Sequence, residues 1–84
     1  MDFYTYILQS EQTDGLYIGS TTDLEDRLLR HNNDRNSYTK GKGPWVLLWS
    51  AKFYSRKEAV QLELSFKRMK SKARVLRWID AQSG

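Results

Sequence analysis

The sequence contains no cysteine and only one histidine in 84 residues. Without cysteine the chain has no disulfide framework, no thiolate metal cluster and no thiolate nucleophile. A lone histidine is also too little for a transition-metal site made only of protein ligands, which takes several His or Cys side chains. These absences exclude disulfide-stabilised folds, thiol catalysis and zinc-type clusters.

Long apolar runs are missing as well. The longest is WVLLW at 45–49, which is far too short to span a bilayer, and the N-terminus carries Asp2 where a secretory leader would be basic and then apolar. We therefore expect a soluble, cytoplasmic protein without a membrane partner. The length allows one domain, residues 1–84, with a thin margin of stability because so short a chain buries a modest share of its surface.

Basic residues are absent from positions 1–26, which hold six acidic residues. All fourteen Lys and Arg residues lie in positions 27–84, against four acidic residues there, although the net charge of the chain is only +4. Such a one-sided distribution produces a positive field that is typical of proteins that bind polyanions. The alternative is a solvated basic helix face that only improves solubility; of the two, we favour nucleic-acid binding.

Hydrophobic periodicity predicts an α+β domain with a three-stranded, mainly antiparallel sheet flanked by helices, in the order β-β-α-β-α-α. The predicted strands are 3–10, 16–20 and 45–53, of which the first two form a hairpin. The third strand is apolar enough to be covered on both faces over much of its length. The predicted helices run from about 23 to 31, from just after Ser55 to about 69, and from just after Ser71.

Capping boxes indicate where the first two helices begin. In this motif a Ser or Thr hydroxyl and a Glu carboxylate three residues later each satisfy a free amide of the first turn. The pairs that fit are Thr22 with Glu25 and Ser55 with Glu58. Ser71 is expected to cap the third helix. The polar run NNDRNS at 32–37 is expected to end the first helix.

Two tyrosines alternate with apolar residues on the predicted strands. Leu16 and Ile18 share one face of the second strand, so Tyr17 points to the other face. Tyr6 alternates in the same way with Ile7 on the first strand. Whether Tyr6 and Tyr17 meet depends on the hairpin register, which the sequence leaves open by a residue or two. Aromatic cross-strand pairs also stabilise sheets, so packing is the better explanation for either tyrosine alone.

Three ionisable residues on the predicted helices draw attention by their spacing. Arg27 and His31 are four positions apart and are therefore neighbours on the first helix, although a solvated face would have the same pattern. Glu63 lies at the shoulder of the apolar stripe of the second helix instead of on its polar back. The simpler interpretation of Glu63 is an i,i+4 ion pair with Lys67.

A phosphodiester hydrolase without a cluster of carboxylates needs a small set of groups. One acidic ligand can hold a hydrated Mg²⁺, which prefers oxygen and keeps several waters. A guanidinium group stabilises the charge that develops on the phosphate oxygens. A proton acceptor activates the attacking water, and an acid or the metal assists the departing oxygen. The residues that together provide these groups are Tyr6, Tyr17, Arg27, His31 and Glu63.

These residues and spacings resemble the GIY-YIG nuclease superfamily. YTY at 4–6 stands ten residues before YIG at 17–19, and Arg27, His31 and a glutamate on a later helix follow. The chain is most similar to small standalone bacterial members, whose pattern WYxYxL…LYIGxTxDLxxRLxxHN it follows closely, and the resemblance covers nearly the whole chain. It departs from the name-giving motif at YTY, where the motif has Gly-Ile-Tyr, but Tyr6 keeps the tyrosine position.

The resemblance implies a role for each residue. Glu63 would hold a single Mg²⁺ or Mn²⁺ per active site, and Arg27 would contact the scissile phosphate and stabilise its transition state. Tyr6 is the general base that we favour, with a pKa lowered from about 10 by nearby positive charge. Tyr17 would position water or phosphate, and His31 would assist by hydrogen bonding or proton relay.

The resemblance and the basic helices also imply a nucleic-acid surface. The loop SYTKGKGP at 37–44 resembles one that borders the site in this subfamily, although a plain flexible loop explains it equally well. The residues assigned to nucleic-acid binding are Tyr38, Thr39, Lys40, Lys42, Lys67, Lys70 and Arg74. Contacts of this kind to phosphates give affinity and salt dependence without reading bases.

The leading hypothesis is therefore a metal-dependent endonuclease or related phosphodiesterase that acts on DNA in preference to RNA. The alternatives are a nucleic-acid-binding module of the same fold with weak or no catalysis, and a protein-interaction domain. Five matching positions favour the enzyme. Larger relatives take their target choice from attached domains, so substrate shape or a protein partner would supply any specificity here. The sequence does not set the oligomeric state.

Overall fold

The computed structural model describes residues 1–33 and 38–83. Its elements follow the predicted order β-β-α-β-α-α, which confirms the α+β fold class. The strands are β1 (Phe3–Ser10), β2 (Leu16–Thr21) and β3 (Trp45–Phe53). The helices are α1 (Leu24–Asn32), α2 (Arg56–Met69) and α3 (Lys72–Ser83). Of the polar run expected to end the first helix, positions 34–37 lie outside the described residues, and α1 ends before them.

The sheet has the strand order β2-β1-β3, and both strand pairs are antiparallel. Because β1 lies in the middle, its residues are covered on both faces, and Tyr6, Ile7 and Leu8 are all buried. Tyr6 and Leu8 pack with Trp45 on one face, whereas Ile7 joins a second core cluster on the other. The alternation predicted from the sequence is therefore confirmed. One face of the sheet carries the cluster with Tyr6, and the other carries the cluster with Ile7.

The helices divide between these two faces. Leu24 and Leu28 of α1 pack against the cluster that contains Tyr6. Residues of α2 and α3 pack against Ile7 on the opposite face. There the rings of Trp49, Phe66 and Trp78 meet edge to face, with centroids 4.9–5.7 Å apart, a geometry that aromatic rings favour because of their quadrupoles. This cluster supplies much of the apolar contact in a small core.

The hairpin register sets the position of the tyrosines. In the pairing of β1 with β2, Tyr6 lies opposite Gly19 and Leu8 lies opposite Tyr17. A Cβ atom on Gly19 would lie 2.6 Å from the Tyr6 hydroxyl oxygen and 2.8 Å from Cζ, closer than van der Waals contact allows. The ring of Tyr6 therefore lies across the backbone of Gly19, and only glycine leaves room for it.

One of the two predicted capping boxes is wrong. The cap of α1 is Asp23, whose carboxylate accepts a hydrogen bond of 3.1 Å from the amide of Asp26. The prediction placed the cap at Thr22, one residue too early. The Thr21 hydroxyl accepts from the Asp23 amide at 3.1 Å and closes the turn that leads into the cap. Aspartate at this position satisfies a free amide and also complements the positive end of the helix dipole.

The other two predicted caps are confirmed. The Ser55 hydroxyl accepts from the amide of Glu58 at 3.3 Å and also bonds to the Glu58 carboxylate at 3.0 Å. At the start of α3 the Ser71 hydroxyl accepts from the amide of Arg74 at 3.3 Å. The Ser55 cap fixes where α2 begins, and hence which residues of α2 face β2.

The prediction that β3 is covered on both faces is wrong at its beginning. Val46 and Leu47 are 39% and 43% exposed. The reason is position in the sheet, because β3 is an edge strand and α2 packs mainly over β1 and β2. A register shift between Ile7 and Leu8 also changes the pairing at this end. Within the described ranges, no helix is both long enough and apolar enough to cross a membrane.

Candidate active site

Tyr6 and His31 form the buried centre of the site. Tyr6 comes from the middle strand and His31 from the last turn of α1, and both side chains are almost completely inaccessible to solvent. The Tyr6 hydroxyl oxygen and His31 Nε2 are 3.2 Å apart, which is hydrogen-bonding distance. The predicted i,i+4 neighbours Arg27 and His31 thus turn inward, and the interpretation as a solvated helix face is wrong for His31.

Thr39 holds the other side of the imidazole. Its hydroxyl oxygen lies 2.8 Å from His31 Nδ1, and the side chain is completely buried. The indole Nε1 of Trp45 donates to the carbonyl of Thr39 at 3.2 Å, which fixes this part of the loop. The sequence analysis assigned Thr39 to nucleic-acid contact. That assignment is wrong in this structure, because the Thr39 hydroxyl lies in the interior, where it bonds to the Nδ1 side of His31 that faces away from Tyr6.

Tyr17 and Tyr38 extend the site from this buried centre toward solvent. The ring centroid of Tyr17 is 4.5 Å from that of His31 and 6.3 Å from that of Tyr6. Tyr38 lies 5.6 Å from Tyr17 and is 59% exposed, with the Lys42 ammonium 4.6 Å from its ring centroid. The four aromatic side chains form one continuous wall, and its outer end is open to a ligand.

Arg27 is the cation of the site. Its guanidinium lies close enough to Tyr6 and His31 to influence the pKa of both groups. Its Nε atom is buried, and no partner accepts a hydrogen bond from it within residues 1–33 and 38–83. A buried donor without an acceptor costs free energy, so the guanidinium is suited to an anionic ligand that supplies one.

The pKa of Tyr6 differs from the sequence expectation. Burial raises it to about 12, with smaller contributions in the same direction from Tyr17 and Glu63, whereas the charge and hydrogen bonding of Arg27 lower it. Arg27 therefore acts in the predicted direction, but desolvation of the phenolate is the larger effect. At neutral pH Tyr6 is a phenol and not a phenolate.

His31 is neutral at the same pH. Burial lowers its pKa below the usual 6.5, and the nearby positive charge of Arg27 lowers it further. A neutral imidazole has one donor and one acceptor nitrogen, so one of its two hydroxyl neighbours, on Tyr6 or Thr39, donates and the other accepts. With Nδ1 protonated toward Thr39, Nε2 is free to accept the Tyr6 proton.

Glu63 brings the carboxylate of the site from α2. Its side chain is only 16% exposed, and its charge acts on Tyr6. The predicted i,i+4 pair is confirmed, because Glu63 Oε2 lies 2.5 Å from the ammonium of Lys67. Lys67, which we assigned to nucleic-acid contact, is thus the partner of this carboxylate. The Lys67 side chain is half exposed, so it can leave with little loss, since exposed ion pairs are weak.

Glu63 is the carboxylate at this site that could hold a metal ion. In the part of the chain that the structure describes, no group of three or more His, Cys, Asp or Glu side chains could hold a metal ion. Mg²⁺ accepts such a sparse site because it binds through one or two carboxylates and fills its remaining positions with water and substrate phosphate. Glu63 fits that requirement through its oxygen atoms, of which Lys67 contacts only Oε2.

Two cavities lie between α2 and the edge strand β2. One, of about 120 Å³, is lined by Arg27 together with Arg56 and hydroxyl residues at the end of β2. The other, of about 430 Å³, is lined by Tyr17, Tyr38 and Lys67. On α2, Glu63 lies in sequence between Arg56, which lines the first cavity, and Lys67, which lines the second. Arg56 is a residue that sequence reasoning missed, because an arginine in the first turn of an amphipathic helix resembles any solvated charge.

The remaining predicted nucleic-acid contacts lie on the surface. Lys40 and Lys42 are exposed on the loop beside Tyr38. Lys70 follows the end of α2 and Arg74 lies on α3, and both are exposed. Neither lines the two cavities described above. These four residues stay predictions.

Comparison with known proteins decides the family. The sequence profile of the GIY-YIG catalytic domain matches residues 2–75, which is most of the chain. The chain belongs to the GIY-YIG family. Among GIY-YIG relatives, a UPF0213 protein of Oceanobacillus iheyensis is 39% identical over 67 residues, which are 79% of this chain and 77% of that protein. A UPF0213 protein of Streptococcus agalactiae is 40% identical over 74 residues, 86% of this chain and 82% of that protein.

A solved structure has the same fold as this chain. The NMR structure of a UPF0213 protein from Bacillus halodurans matches all of this chain and 88% of its own, with a TM-score of 0.64 and 30% sequence identity. The GIY-YIG domain is one of nucleases, whereas the names of these relatives state no activity. The fold and the nuclease family are thus established for this chain.

Proposed function

We propose that this GIY-YIG protein is a metal-dependent endonuclease that hydrolyses phosphodiester bonds of nucleic acid, DNA in preference to RNA. One observation carries the proposal. The Tyr6 hydroxyl interacts with the four other groups predicted for the site. It lies within hydrogen-bonding distance of His31, and the charges of Tyr17, Arg27 and Glu63 act on its pKa. The four groups come from three elements, β2, α1 and α2, and Tyr6 itself from a fourth, β1, so simple packing gives no reason for them to meet at one hydroxyl.

Glu63 would hold the single Mg²⁺ or Mn²⁺, displacing the ammonium of Lys67 from one carboxylate oxygen. When bound, such an ion neutralises charge on the phosphate and assists the departing oxygen. Arg27 would contact the scissile phosphate, because its buried Nε has no acceptor in the described chain and a phosphate oxygen would supply one. The charge that develops in the transition state strengthens this contact.

Tyr6 and His31 would move the proton. With a pKa of about 12, Tyr6 does not act as a preformed phenolate. Instead, the phenol takes a proton from the attacking water while it gives its own proton to His31 Nε2, 3.2 Å away. The water oxygen bonds to phosphorus, the bond to the leaving oxygen breaks, and His31 becomes the imidazolium. This step uses the tautomer in which Nδ1 donates to the Thr39 hydroxyl, 2.8 Å away, and Nε2 is the accepting nitrogen.

A second candidate is a nucleic-acid-binding module that turns over slowly or not at all. The Glu63–Lys67 ion pair and the raised pKa of Tyr6 favour it, because each opposes one step of the hydrolysis. Removing the charge of Glu63 distinguishes the two candidates. A nuclease would lose cleavage, whereas a binding module would bind nucleic acid without cleaving it before and after the change.

The deciding experiment compares wild type with Glu63→Gln on single-stranded, duplex, flap and branched DNA and RNA, with Mg²⁺ and with Mn²⁺. We expect cleavage by wild type and a loss of at least about 100-fold in the variant, equivalent to about 2.7 kcal/mol of transition-state free energy. Glu58→Gln is the matched control, since its carboxylate lies on the same helix but bonds to Ser55. Equal cleavage by all three proteins would overturn the proposal, and binding without cleavage would establish the second candidate.

A further inference from the structure

A small basic pocket lies beside the site, at the point where β2 ends and α1 and α2 begin. It encloses about 120 Å³. Two guanidinium groups line it, from Arg27 and Arg56. The hydroxyl residues that line it are Ser20, Thr21 and Thr22. Phe3 and Ala59 provide its apolar lining. Segments far apart in sequence therefore build one cavity of a size that suits a small anion.

The charges around the pocket favour an anion. None of the residues that line it is acidic. Three acids near the pocket along the chain have partners of their own: Asp23 caps α1, Asp26 pairs with Arg30 at 2.9 Å, and Asp2 lies 3.5 Å from Lys52. Glu58, in the first turn of α2, accepts a hydrogen bond from Ser55. The positive charge of the two arginines is thus not neutralised by a carboxylate inside the cavity.

Neither arginine forms an ion pair within residues 1–33 and 38–83. Arg27 has a buried Nε that finds no acceptor in residues 1–33 and 38–83. The guanidinium of Arg56 lies 5.5 Å from the ring centroid of Phe3, a cation–π contact that restrains the side chain and leaves its N–H groups available. With Arg27 assigned to the scissile phosphate, the guanidinium fork of Arg56 is the one that matches the oxygen atoms of a second phosphate.

The pocket lies next to the proposed metal carboxylate. Ala59, which lines it, is four residues before Glu63 on α2, and one turn of helix advances about 5.4 Å. Arg27 borders both the pocket and the buried Tyr6. A substrate phosphate at the site and an anion in the pocket would therefore be neighbours.

We propose that this pocket binds the backbone phosphate next to the scissile one, with Arg56 as its principal contact. The inference rests on the proposed function, since it assigns a second phosphate of the same substrate. It adds a residue, Arg56, that the family resemblance does not assign, and it predicts a substrate that extends beyond a single phosphodiester.

The test measures binding of a short DNA oligonucleotide to the cleavage-deficient Glu63→Gln protein, with and without a second change, Arg56→Ala. We expect the second change to weaken binding about tenfold, the worth of a charged hydrogen bond. Lys57→Ala is the matched control because Lys57 is the next residue of α2, equally exposed, and does not line the pocket. An equal loss in both variants would show a general charge effect and overturn the proposal.

A second measurement locates the phosphate. A series of oligonucleotides, each with one neutral methylphosphonate linkage, is titrated against the same proteins. With Arg56 present we expect a loss of affinity for the oligonucleotide that is neutral one linkage from the scissile position, and with Arg56→Ala we expect that loss to disappear. The same profile in both proteins would contradict the assignment. Thermal unfolding of each variant confirms that it is folded.

The outcome remains distinct from that of the proposed function. If wild type cleaves nothing but the methylphosphonate profile changes with Arg56, the pocket binds backbone phosphate in a protein that is not a nuclease. If Glu63→Gln abolishes cleavage but Arg56→Ala changes neither binding nor profile, the nuclease stands and the pocket proposal fails.

Discussion

The ring of Tyr6 occupies the space that a side chain at position 19 would fill. A Cβ atom there would meet three ring and hydroxyl atoms of Tyr6 at 2.6–3.1 Å, and the Tyr6 hydroxyl in turn bonds to His31. Gly19 therefore supports the site without touching a substrate. The identity of this cross-strand neighbour is therefore restricted, because a larger side chain would push the Tyr6 ring out of its position.

We predict that Gly19→Ala lowers the free energy of unfolding by about 1–3 kcal/mol, the usual cost of overpacking. The ring of Tyr6 has to move, and the distance to His31 changes with it. Urea unfolding measures the loss. Gly43→Ala is the control, because the nearest atom to a Cβ there, Asn32 Oδ1, is 3.6 Å away, at ordinary contact distance. Equal effects of both substitutions would show that the contact with Tyr6 is not what matters.

The buried His31 makes stability depend on pH. Its pKa in the folded protein lies below the usual 6.5 because burial, and then the charge of Arg27, disfavour the imidazolium. The unfolded chain takes up a proton at higher pH than the folded one. The contribution of His31 to stability is therefore complete above about pH 6.5 and is lost as pH falls through the lower, folded pKa.

We predict that the free energy of unfolding decreases as pH falls below about 6.5, and that this part of the decrease is absent in His31→Gln. Because His31 is the only histidine, its NMR titration can be followed without assignment. A folded pKa at or above 6.5 would contradict the expected direction.

At the scale of elements, the helix starts decide what the helices present. Successive residues of a helix are about 100° apart around its axis. Moving the start of a helix by one residue therefore changes which side chains face the sheet. On α1, the cap at Asp23 sets the turn that carries Arg27 and His31 to the Tyr6 face. On α2, the cap at Ser55 sets Arg56, Ala59 and Glu63 along the edge strand.

The position of the α1 cap is testable. We predict that Asp23→Ala lowers stability by about 0.5–2 kcal/mol, whereas Thr22→Ala stays within about 0.5 kcal/mol of wild type. Asp23 accepts from the amide of Asp26 at 3.1 Å, and Thr22 is exposed in the preceding turn. Thermal unfolding of the two variants compares neighbouring residues directly. A larger loss at Thr22 would restore the capping box predicted from the sequence.

At the scale of the whole molecule, the basic surface extends beyond the site. Lys70 and Arg74 lie at the junction of α2 and α3 and line neither of the cavities next to β2. Lys67, three residues before Lys70, lines the cavity that Tyr17 and Tyr38 border, so the C-terminal end of α2 connects the tyrosines with this basic surface. The charge pattern alone thus predicts a long electrostatic contact around a short chemical site.

We predict that the double variant Lys70→Ala, Arg74→Ala reduces the salt slope of nucleic-acid binding by about 2, because each phosphate contact contributes about 0.9 to log K against log salt. The control pair is Arg30→Ala with Lys52→Ala, since Arg30 bonds to Asp26 and Lys52 lies near Asp2. Titrations at several salt concentrations measure both slopes. An unchanged slope in the first variant would place the interface elsewhere.

The sequence by itself determined the elements, the fold class and the set of chemically capable residues. Strand alternation, helical spacing and two of three caps are local properties, set within a few residues of each other, and the structure confirms them. The family followed from motif residues, and the profile match confirms it. The catalytic roles of those residues stay predictions.

Only the tertiary structure decided the distances and the solvent exposure. The hairpin register sets Tyr6 against Gly19, and burial raises the pKa of Tyr6, where charge arguments alone predicted a fall. Thr39 supports His31 from inside the fold, and Arg56 meets Arg27 in a pocket built from distant segments. Burial and long-range contacts depend on how all elements pack together, so no window of sequence contains them.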